Sequence, residues 1–277
     1  MQTYVEQAPD QGHTVEIVDV GDFDRFSGFD AAFLRLDTSV FGLSFAVSRY
    51  CWELGLRIVD DPKSMVTCMN KAHVQGVLER AGVPTPETVL LTKAGSEHLD
   101  AEGMFGELGT PIVCKAPHGA FSSAVEKAHD EKELKSLVRR FSQRSDVVLL
   151  QRYTPSAFDW RVGVLCGQPL YAARYHIPQG AWRIHDKPQG AQRKEWAKVE
   201  SVPLGKVPPE VLQTALAAAR SIGGGLYGVD VKQLEDGRVV VIEVNDNPNI
   251  DRGSELPASS PVFGQIIDRI AREGPRA

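Results

Sequence analysis

Apolar side chains follow two spacings along this chain, and each spacing predicts a type of element. Short β-branched runs, some alternating with polar residues, predict strands. They lie at residues 13–20, 31–36, 56–62, 111–117, 147–153, 226–234 and 239–245, with a further hairpin over residues 159–177. Apolar residues three and four positions apart predict helices. These lie at residues 41–55, 70–81, 130–141, 209–222 and 262–270. Strands that alternate with helices in the first 70 residues predict parallel pairing there.

Local signals mark where several elements begin or turn. Asn70 is placed as an N-cap, and Gly82 with Pro84 predicts the end of the helix that follows. Asp130 with Glu133 three residues later matches a capping box. The hairpin over residues 159–177 is expected to turn at Gly167 and Gln168.

Composition and charge limit the classes of function. Hydrophobic residues make up 42% of the 277 positions and charged residues 24%, which is ordinary for a soluble globular protein. A net charge of -5 gives no general attraction to nucleic acid or to an anionic membrane. The four cysteines are scattered and form no C-x-x-C pair, so we expect reduced thiols in a cytoplasmic protein. The first residues lack the apolar region of a signal peptide, and no apolar run is long enough to span a membrane.

Residues 226–245 carry the most informative pattern, because charged residues interrupt two strongly apolar strands. The Asp236-Gly237 step predicts a two-residue hairpin turn. Counting outward from that turn places Asp230 opposite Glu243, and strand alternation places Asn245 on the same face as Glu243. The hairpin therefore brings two carboxylates and one amide oxygen to one small region.

Such a cluster needs compensation, because facing like charges destabilise a sheet and a buried unpaired carboxylate is costly. An oxygen-only set of ligands suits a hard cation such as Mg²⁺. The alternative is that one carboxylate pairs with a lysine or arginine and Asn245 only caps a turn. A calcium loop fits less well, because Pro248 and Ile250 stand where an EF-hand loop needs freedom and a glycine.

Magnesium held by few carboxylates commonly accompanies phosphates, and lysines are candidates for binding phosphate oxygens. Lys115 ends an apolar run just before a loop of small residues, where a lysine and backbone amides can bind phosphate oxygens. A lysine whose stem lies on the surface is the alternative. Ser122 and Ser123 offer hydroxyls or a simple turn, and Lys71 taken alone is a solvated residue at a helix start.

Five segments occur together in an order and spacing that resemble the ATP-grasp superfamily. They are NKAHVQGVLERAGVPTP, PIVCKAPHGAFSSAV, LLQRYTPSAFDWRVGVL, LYGVDVK and VIEVNDNPNI. The chain most resembles RimK-type α-L-glutamate ligases and their glutathione-synthetase-like relatives, over residues 13–270. The resemblance implies an α/β chain with an ATP-grasp fold of two α+β subdomains, 71–150 and 151–277. They would follow a short N-terminal parallel α/β domain, 1–70, whose first strand is expected to be absent.

The resemblance also implies roles for individual residues. Ten residues would bind ATP through their side chains or main chain: Lys71, Lys115, Gly119, Ser122, Ser123, Gln151, Arg152, Tyr153, Thr154 and Asp159. Two Mg²⁺ ions, or Mn²⁺ as the alternative, would be held by Asp230, Glu243 and Asn245. Arg161 and Arg174 would lie near the transferred phosphoryl group, with a surface ion pair as the alternative for each. The main chain of residues 152–154 would meet adenine, and Asp159 the ribose.

The implied reaction is ATP-dependent ligation of a carboxylate to an amine through an acyl phosphate. A non-catalytic nucleotide-binding module and a kinase that releases the acyl phosphate are the alternatives. Relatives usually have more glycine in the phosphate loop, and the segment near His185 and Asp186 also departs from their pattern. Arg35 and Arg252 are candidates for clamping a substrate carboxylate, and an ordinary salt bridge is the alternative for each. The residues name neither substrate, and a homo-oligomer stays open.

Overall fold

A computed structural model of the protein describes residues 1–36, 38–118, 124–178, 180–182, 198–257 and 260–277. The N-terminal part contains β1 (Ala31–Phe33) paired parallel with β2 (Arg57–Val59), as predicted. The helices around this pair are α1 (Gln2–Gln7), α2 (Leu43–Glu53) and α3 (Pro62–Cys68). Short 3₁₀ turns occupy Pro9–Gln11 and Phe23–Gly28.

A four-stranded antiparallel sheet forms the middle of the chain. Its strands are β3 (Thr88–Thr92), β4 (Ile112–Lys115), β5 (Val125–Ala128) and β6 (Val147–Arg152), in the order β3-β6-β4-β5. The helices of this part are α4 (Lys71–Arg80), α5 (Lys93–Ser96), α6 (Ala101–Leu108) and α7 (Glu131–Ser142). Ile112, Cys114 and Leu150 point toward α6 and α7 and share one apolar core with them. Strand alternation therefore turns the intervening residues, including Val113, Lys115 and Gln151, toward the opposite face.

A five-stranded antiparallel sheet forms the last part of the chain. Its strands are β7 (Phe158–Leu165), β8 (Gln168–His176), β9 (Lys198–Val202), β10 (Leu226–Gln233) and β11 (Val239–Asn245), in the order β11-β10-β7-β8-β9. The helices are α8 (Pro209–Ile222) and α9 (Val262–Glu273), with a 3₁₀ turn at Leu204–Lys206. Tyr227, Val229 and Val231 pack against α8 in the largest core, so Asp230 and Lys232 face the other way.

Three of the sequence predictions are wrong. Residues 13–20 form no strand, although Val18 and Val20 pack against the core around Phe26. The hairpin between β7 and β8 turns at Cys166 and Gly167, one residue earlier than expected, with both residues at positive φ. The last hairpin closes through a three-residue loop, because the amide of Leu234 donates to the carbonyl of Arg238 at 2.8 Å.

The described residues include no helix that is both long and apolar enough to cross a membrane.

Candidate active site

A cleft lies between the four-stranded and five-stranded sheets. Residues from both sheets and from the start of α4 line it. Nine of the residues singled out in the sequence share this cleft: Lys71, Lys115, Gln151, Arg152, Tyr153, Thr154, Asp159, Asp230 and Glu243. The two sheets thus bring segments that are far apart in the chain to one concave surface.

The β10–β11 hairpin places Asp230 opposite Glu243, as the sequence predicts. The path to that register differs from the prediction, because the three-residue loop shifts the first pairs by one position. A bulge between Asp230 and Val231 on the ladder then restores the predicted register. The bulged residue, Ile242, lines the cleft beside Glu243.

Arg161 on β7 neutralises Asp230. Its Nε donates to Asp230 Oδ1 at 2.7 Å and its Nη2 to Oδ2 at 2.8 Å, which is the bidentate geometry of a strong ion pair. Both side chains are nearly buried. Burial lowers the pKa of Arg161, but Asp230 outweighs it and the net pKa lies well above the ordinary value. Burial also raises the pKa of Asp230, an effect that Arg161 only partly offsets.

Lys71 neutralises Glu243. Its Nζ lies 3.0 Å from Glu243 Oε1, and the Glu243 side chain remains 37% exposed, so it is less buried than its strand predicts. Burial raises the pKa of Glu243, but the charge and hydrogen bond of Lys71 lower it further, so the net pKa lies below the ordinary value. The alternative considered for the hairpin, a lysine or arginine partner, therefore holds for both carboxylates in this structure.

Lys115 is buried at the end of β4, on the cleft face. Burial lowers its pKa to about 8, and the carboxylate of Glu243 only partly offsets this effect. The charges of Lys71 and Lys232 lower the pKa further. A buried lysine among other cations favours a ligand that brings negative charge.

Lys232 is a cleft residue that the sequence analysis missed. It is buried, and its Nζ lies 2.6 Å from Asp159 Oδ1 and 2.5 Å from Ser156 Oγ. Ser156 Oγ also donates to Asp159 Oδ1 at 2.9 Å. The signal was present, because Lys232 stands two positions after Asp230 and therefore shares its face of the strand.

Residues 151–154 run along the cleft from the end of β6. The side chain of Arg152 turns away from it, donating to Glu87 and to the carbonyl of Glu107. The backbone amide of Arg152 also donates to the carbonyl of Glu87, at 2.9 Å. The ring of Tyr153 lies 4.3 Å from the Nζ of Lys127, which is also 4.7 Å from the Trp182 ring. Trp182 lines the cleft, and neither it nor Lys127 was singled out in the sequence.

Asn245 lies on the cleft face of the sheet, whereas Arg174 does not. Arg174 pairs with Trp160 in the ladder, and Trp160 packs in the core against α8, so the Arg174 side chain lies on the face opposite the cleft. Asn245 pairs with Gly228 in the ladder and shares the face of Glu243. A Cβ on Gly228 would lie 2.7 Å from the Cβ of Pro248, so glycine lets the following loop fold across the strand. The guanidinium of Arg174 lies 4.5 Å from the Trp160 ring, and its buried Nε has no hydrogen-bond partner among the described residues. The predicted phosphate-loop residues Gly119, Ser122 and Ser123 lie outside the described residues.

The residues present fit a magnesium site of modest size. Asp230, Glu243 and Asn245 offer oxygen atoms from one face of adjacent strands, which is the donor chemistry of Mg²⁺. No group of three or more His, Cys, Asp or Glu side chains arranged to hold a metal occurs in the described part of the chain. Two carboxylates and one amide would therefore leave most coordination positions to water and to a bound phosphate.

Comparison with known proteins shows that the chain is similar to ligases. Residues 77–270 match the family model described as D-ala D-ala ligase C-terminus. A probable alpha-L-glutamate ligase from Methanococcoides burtonii is 25% identical over 287 residues, covering 98% of this chain and 90% of that protein. The protein of the same description from Aliivibrio fischeri is 28% identical over 285 residues, covering 97% and 90%.

Solved structures share the fold. A D-cycloserine synthetase superimposes with a TM-score of 0.71 at 16% identity, covering 98% of this chain and 94% of that one. A D-alanine–D-alanine ligase from Bacillus anthracis superimposes with a TM-score of 0.69 at 20% identity, covering 98% and 92%. Since the family model covers most of the chain and these ligases share its fold, the protein belongs to the D-ala D-ala ligase C-terminus family of ATP-grasp ligases.

Proposed function

We propose that this protein uses ATP to activate a carboxylate as an acyl phosphate and then joins it to an amine. One observation carries the proposal: Lys71 and Lys115 face the paired carboxylates Asp230 and Glu243 within a single cleft. Lysines suit the phosphate oxygens, and the carboxylates suit the cation that accompanies them.

The nucleotide is assigned to the side of the cleft formed by β4 and the end of β6. The main chain of residues 152–154 would hydrogen-bond adenine, beside the Tyr153 and Trp182 rings. Asp159 would accept from the ribose, and its contact with Lys232 holds the carboxylate in place. ATP and ADP with Mg are bound in solved structures of two similar ligases, which supports this assignment.

The proposed reaction has two steps, phosphoryl transfer to the carboxylate and attack of the amine on the acyl phosphate. A carboxylate oxygen of the first substrate attacks the γ-phosphorus, and the bond to the bridging oxygen breaks to release ADP. The amine then attacks the acyl carbon, phosphate leaves, and the nitrogen loses a proton to give the amide. Lys71 and Lys115 would neutralise charge on the transferred group, since phosphoryl transfer depends mainly on positioning and electrostatics.

Magnesium would screen the phosphate oxygens against each other when bound at Asp230, Glu243 and Asn245. Arg161 holds Asp230 in a fixed orientation for that purpose. Lys71 bonds Glu243 in the present structure, and we infer that it moves to the phosphates when nucleotide and metal arrive together. We expect two Mg²⁺ ions to bind at these residues.

The substrate carboxylate and amine are assigned only by class. An amino acid such as glutamate is a candidate for the amine, because the relatives at 25–28% identity are described as probable alpha-L-glutamate ligases. Arg35 and Arg252 remain candidates for holding a substrate carboxylate. In this structure Arg35 bonds Asn247, and the Arg252 guanidinium lies 5.2 Å from the Phe263 ring.

The test is a screen of amino acids and acidic peptides for ATP turnover, with mass spectrometry of the products. We expect ADP, phosphate and amide in equal amounts, and a hydroxamate when hydroxylamine replaces the amine. Release of AMP and pyrophosphate would overturn the mechanism, because it requires attack at the α-phosphorus. ADP with no amide under any amine would indicate a kinase instead.

A further inference from the structure

Lys232 and Asp159 form a nearly buried ion pair on the wall of the cleft. Their side chains are 10% and 14% exposed, and both line the cleft. Lys232 lies on β10 and Asp159 on β7, which are neighbours in the five-stranded sheet. Trp160, beside Asp159 in the chain, packs in the core against α8, so strand alternation places Asp159 on the cleft face. The pair therefore joins two strands at a surface that a ligand can reach.

Asp159 keeps one oxygen free for such a ligand. Lys232 Nζ donates to Asp159 Oδ1 at 2.6 Å, and Ser156 Oγ donates to the same oxygen at 2.9 Å. Asp159 Oδ2 accepts no hydrogen bond from the described residues, yet it is not sealed from solvent as the unpartnered oxygens of Asp60 and Asp246 are. Asp159 Oδ2 is therefore an acceptor that a ligand in the cleft can use.

Lys232 also keeps a donor. A lysine ammonium has three N–H donors, and two of them go to Asp159 Oδ1 and to Ser156 Oγ, at 2.6 and 2.5 Å. The third N–H has no partner among the described residues. The pair thus presents one free acceptor and one free donor side by side.

The charge of this pair suits a neutral group better than a phosphate. Lys232 is already neutralised by Asp159, whereas the buried Lys115 of the same cleft forms no salt bridge with a carboxylate of the described residues. A phosphate beside Asp159 would also be repelled by its carboxylate. A hydroxyl both donates and accepts, so two neighbouring hydroxyls match an acceptor and a donor that lie together.

We propose that Lys232 and Asp159 select the nucleotide by the two hydroxyls of its ribose, with Lys232 as a specificity-determining residue. Asp159 Oδ2 accepts from one hydroxyl, and Lys232 Nζ donates to the oxygen of the other. A sugar that lacks either hydroxyl leaves a charged group of the cleft without a partner, which costs binding free energy. This role depends on the proposed nucleotide binding, and it assigns to Lys232 a direct contact with the sugar.

Calorimetric titration of the full chain measures this selection without knowledge of the other substrates. The ligands are ATP, 2′-deoxy-ATP and 3′-deoxy-ATP, each with Mg²⁺ and with no carboxylate substrate present. We expect the wild-type protein to bind each deoxy nucleotide about tenfold or more weakly than ATP, because a hydrogen bond to a charged group is lost.

Three variants separate a contact with the sugar from a general effect of charge. Lys232→Met removes the donor and should reduce the preference for ATP over the deoxy nucleotides to about threefold or less. Asp159→Asn weakens the acceptor at constant shape and should reduce the same preference, so the test stays valid if Lys232→Met is unstable. Lys206→Met removes a lysine at an exposed position outside the cleft, and should change neither affinity nor preference by more than about twofold. Thermal unfolding of each variant checks folding.

Two results would overturn the proposal while leaving the ligase function intact. The first is a wild-type protein that binds ATP no more tightly than either deoxy nucleotide. The second is an equal loss of affinity for all three nucleotides in both cleft variants, which is what a phosphate contact or a loosened cleft would produce. A wild-type protein that binds none of the three nucleotides is a different outcome, because it overturns the proposed function and this role together.

Discussion

Asp230 and Glu243 stand directly opposite each other in the β10–β11 ladder, yet different cations neutralise them. Arg161 holds Asp230 from the neighbouring strand, with Nε 2.7 Å from Oδ1. Lys71 reaches Glu243 from the start of α4, at 3.0 Å. Asp230 is the buried member and Glu243 the accessible one. The two carboxylates are therefore expected to respond differently to substitution.

Glu243→Gln should remove ATP turnover while leaving the fold intact. The amide keeps the shape of the side chain but loses one anionic ligand, and we expect turnover to fall by about 100-fold or more. Phosphate release measured across Mg²⁺ concentrations checks this. Glu235→Gln makes the same charge change in the exposed loop of the hairpin and should have no effect. Wild-type turnover in Glu243→Gln would refute the metal assignment.

Arg161→Met should destabilise the protein by about 3–5 kcal/mol, because it leaves Asp230 buried without a partner. Adding Asp230→Leu removes the uncompensated charge, and the double variant should regain most of the lost stability. Neither variant should turn over ATP. Urea unfolding of both variants supplies the measurement. If the double variant is no more stable than the single one, then the ion pair is not what holds this position.

Lys115→Met should stabilise the protein below pH 8 and weaken ATP binding. The folded protein loses the Lys115 proton near pH 8, whereas the unfolded chain keeps it up to the ordinary pKa of 10.5. Wild-type stability should therefore rise with pH between these values, because the unfolded state then binds more protons. The advantage of the variant, on the order of 2–3 kcal/mol at pH 7, should shrink over the same range.

Unfolding at several pH values tests this expectation, with the exposed Lys132→Met as the control. If the difference in the free energy of unfolding between wild type and Lys115→Met stays constant from pH 7 to pH 10, then burial does not lower the pKa of Lys115 as argued. Unchanged ATP affinity by calorimetry would separately contradict the phosphate role.

Arg152→Ala should leave ATP affinity within about twofold of wild type, because its side chain contacts Glu87 and the carbonyl of Glu107 outside the cleft. The expected loss of stability is about 1 kcal/mol or less, as for other exposed ion pairs. Tyr153→Ala removes a ring that lines the cleft and should weaken ATP binding clearly more. Calorimetric titration of both variants with ATP measures the two affinities. Equal losses of affinity would mean that the Arg152 side chain takes part in ATP binding.

Local features of the fold could be predicted because neighbouring residues decide them. Asn70 caps α4 by accepting from the amide of Ala72 at 2.9 Å, and Asp130 caps α7 by accepting from the amide of Glu133 at 2.8 Å. The helix predicted over residues 209–222 has those bounds in the structure. Such signals act over a few residues and need no tertiary context.

Strand predictions failed where a partner was needed. Residues 13–20 carry a strand-like pattern and contact the core near Phe26, but no strand in the described part of the chain pairs with them. The short strand β3 was not predicted, and it exists because β6 supplies its hydrogen bonds. Strand propensity depends on the neighbouring strand and on burial more than on the residues themselves.

The sequence by itself determined the family motifs and the helix caps, whereas counting along the hairpin reached the pairing of Asp230 with Glu243 only through two deviations that cancel. These deviations are the three-residue loop and the bulge near Ile242, which counting could not show. Only the tertiary structure decided that Arg161 holds Asp230, that Lys71 reaches Glu243 and that Lys232 joins Asp159. These contacts join segments far apart in the chain, and their geometry depends on how two sheets pack across the cleft. No local pattern encodes that packing, because it is a property of the whole folded core.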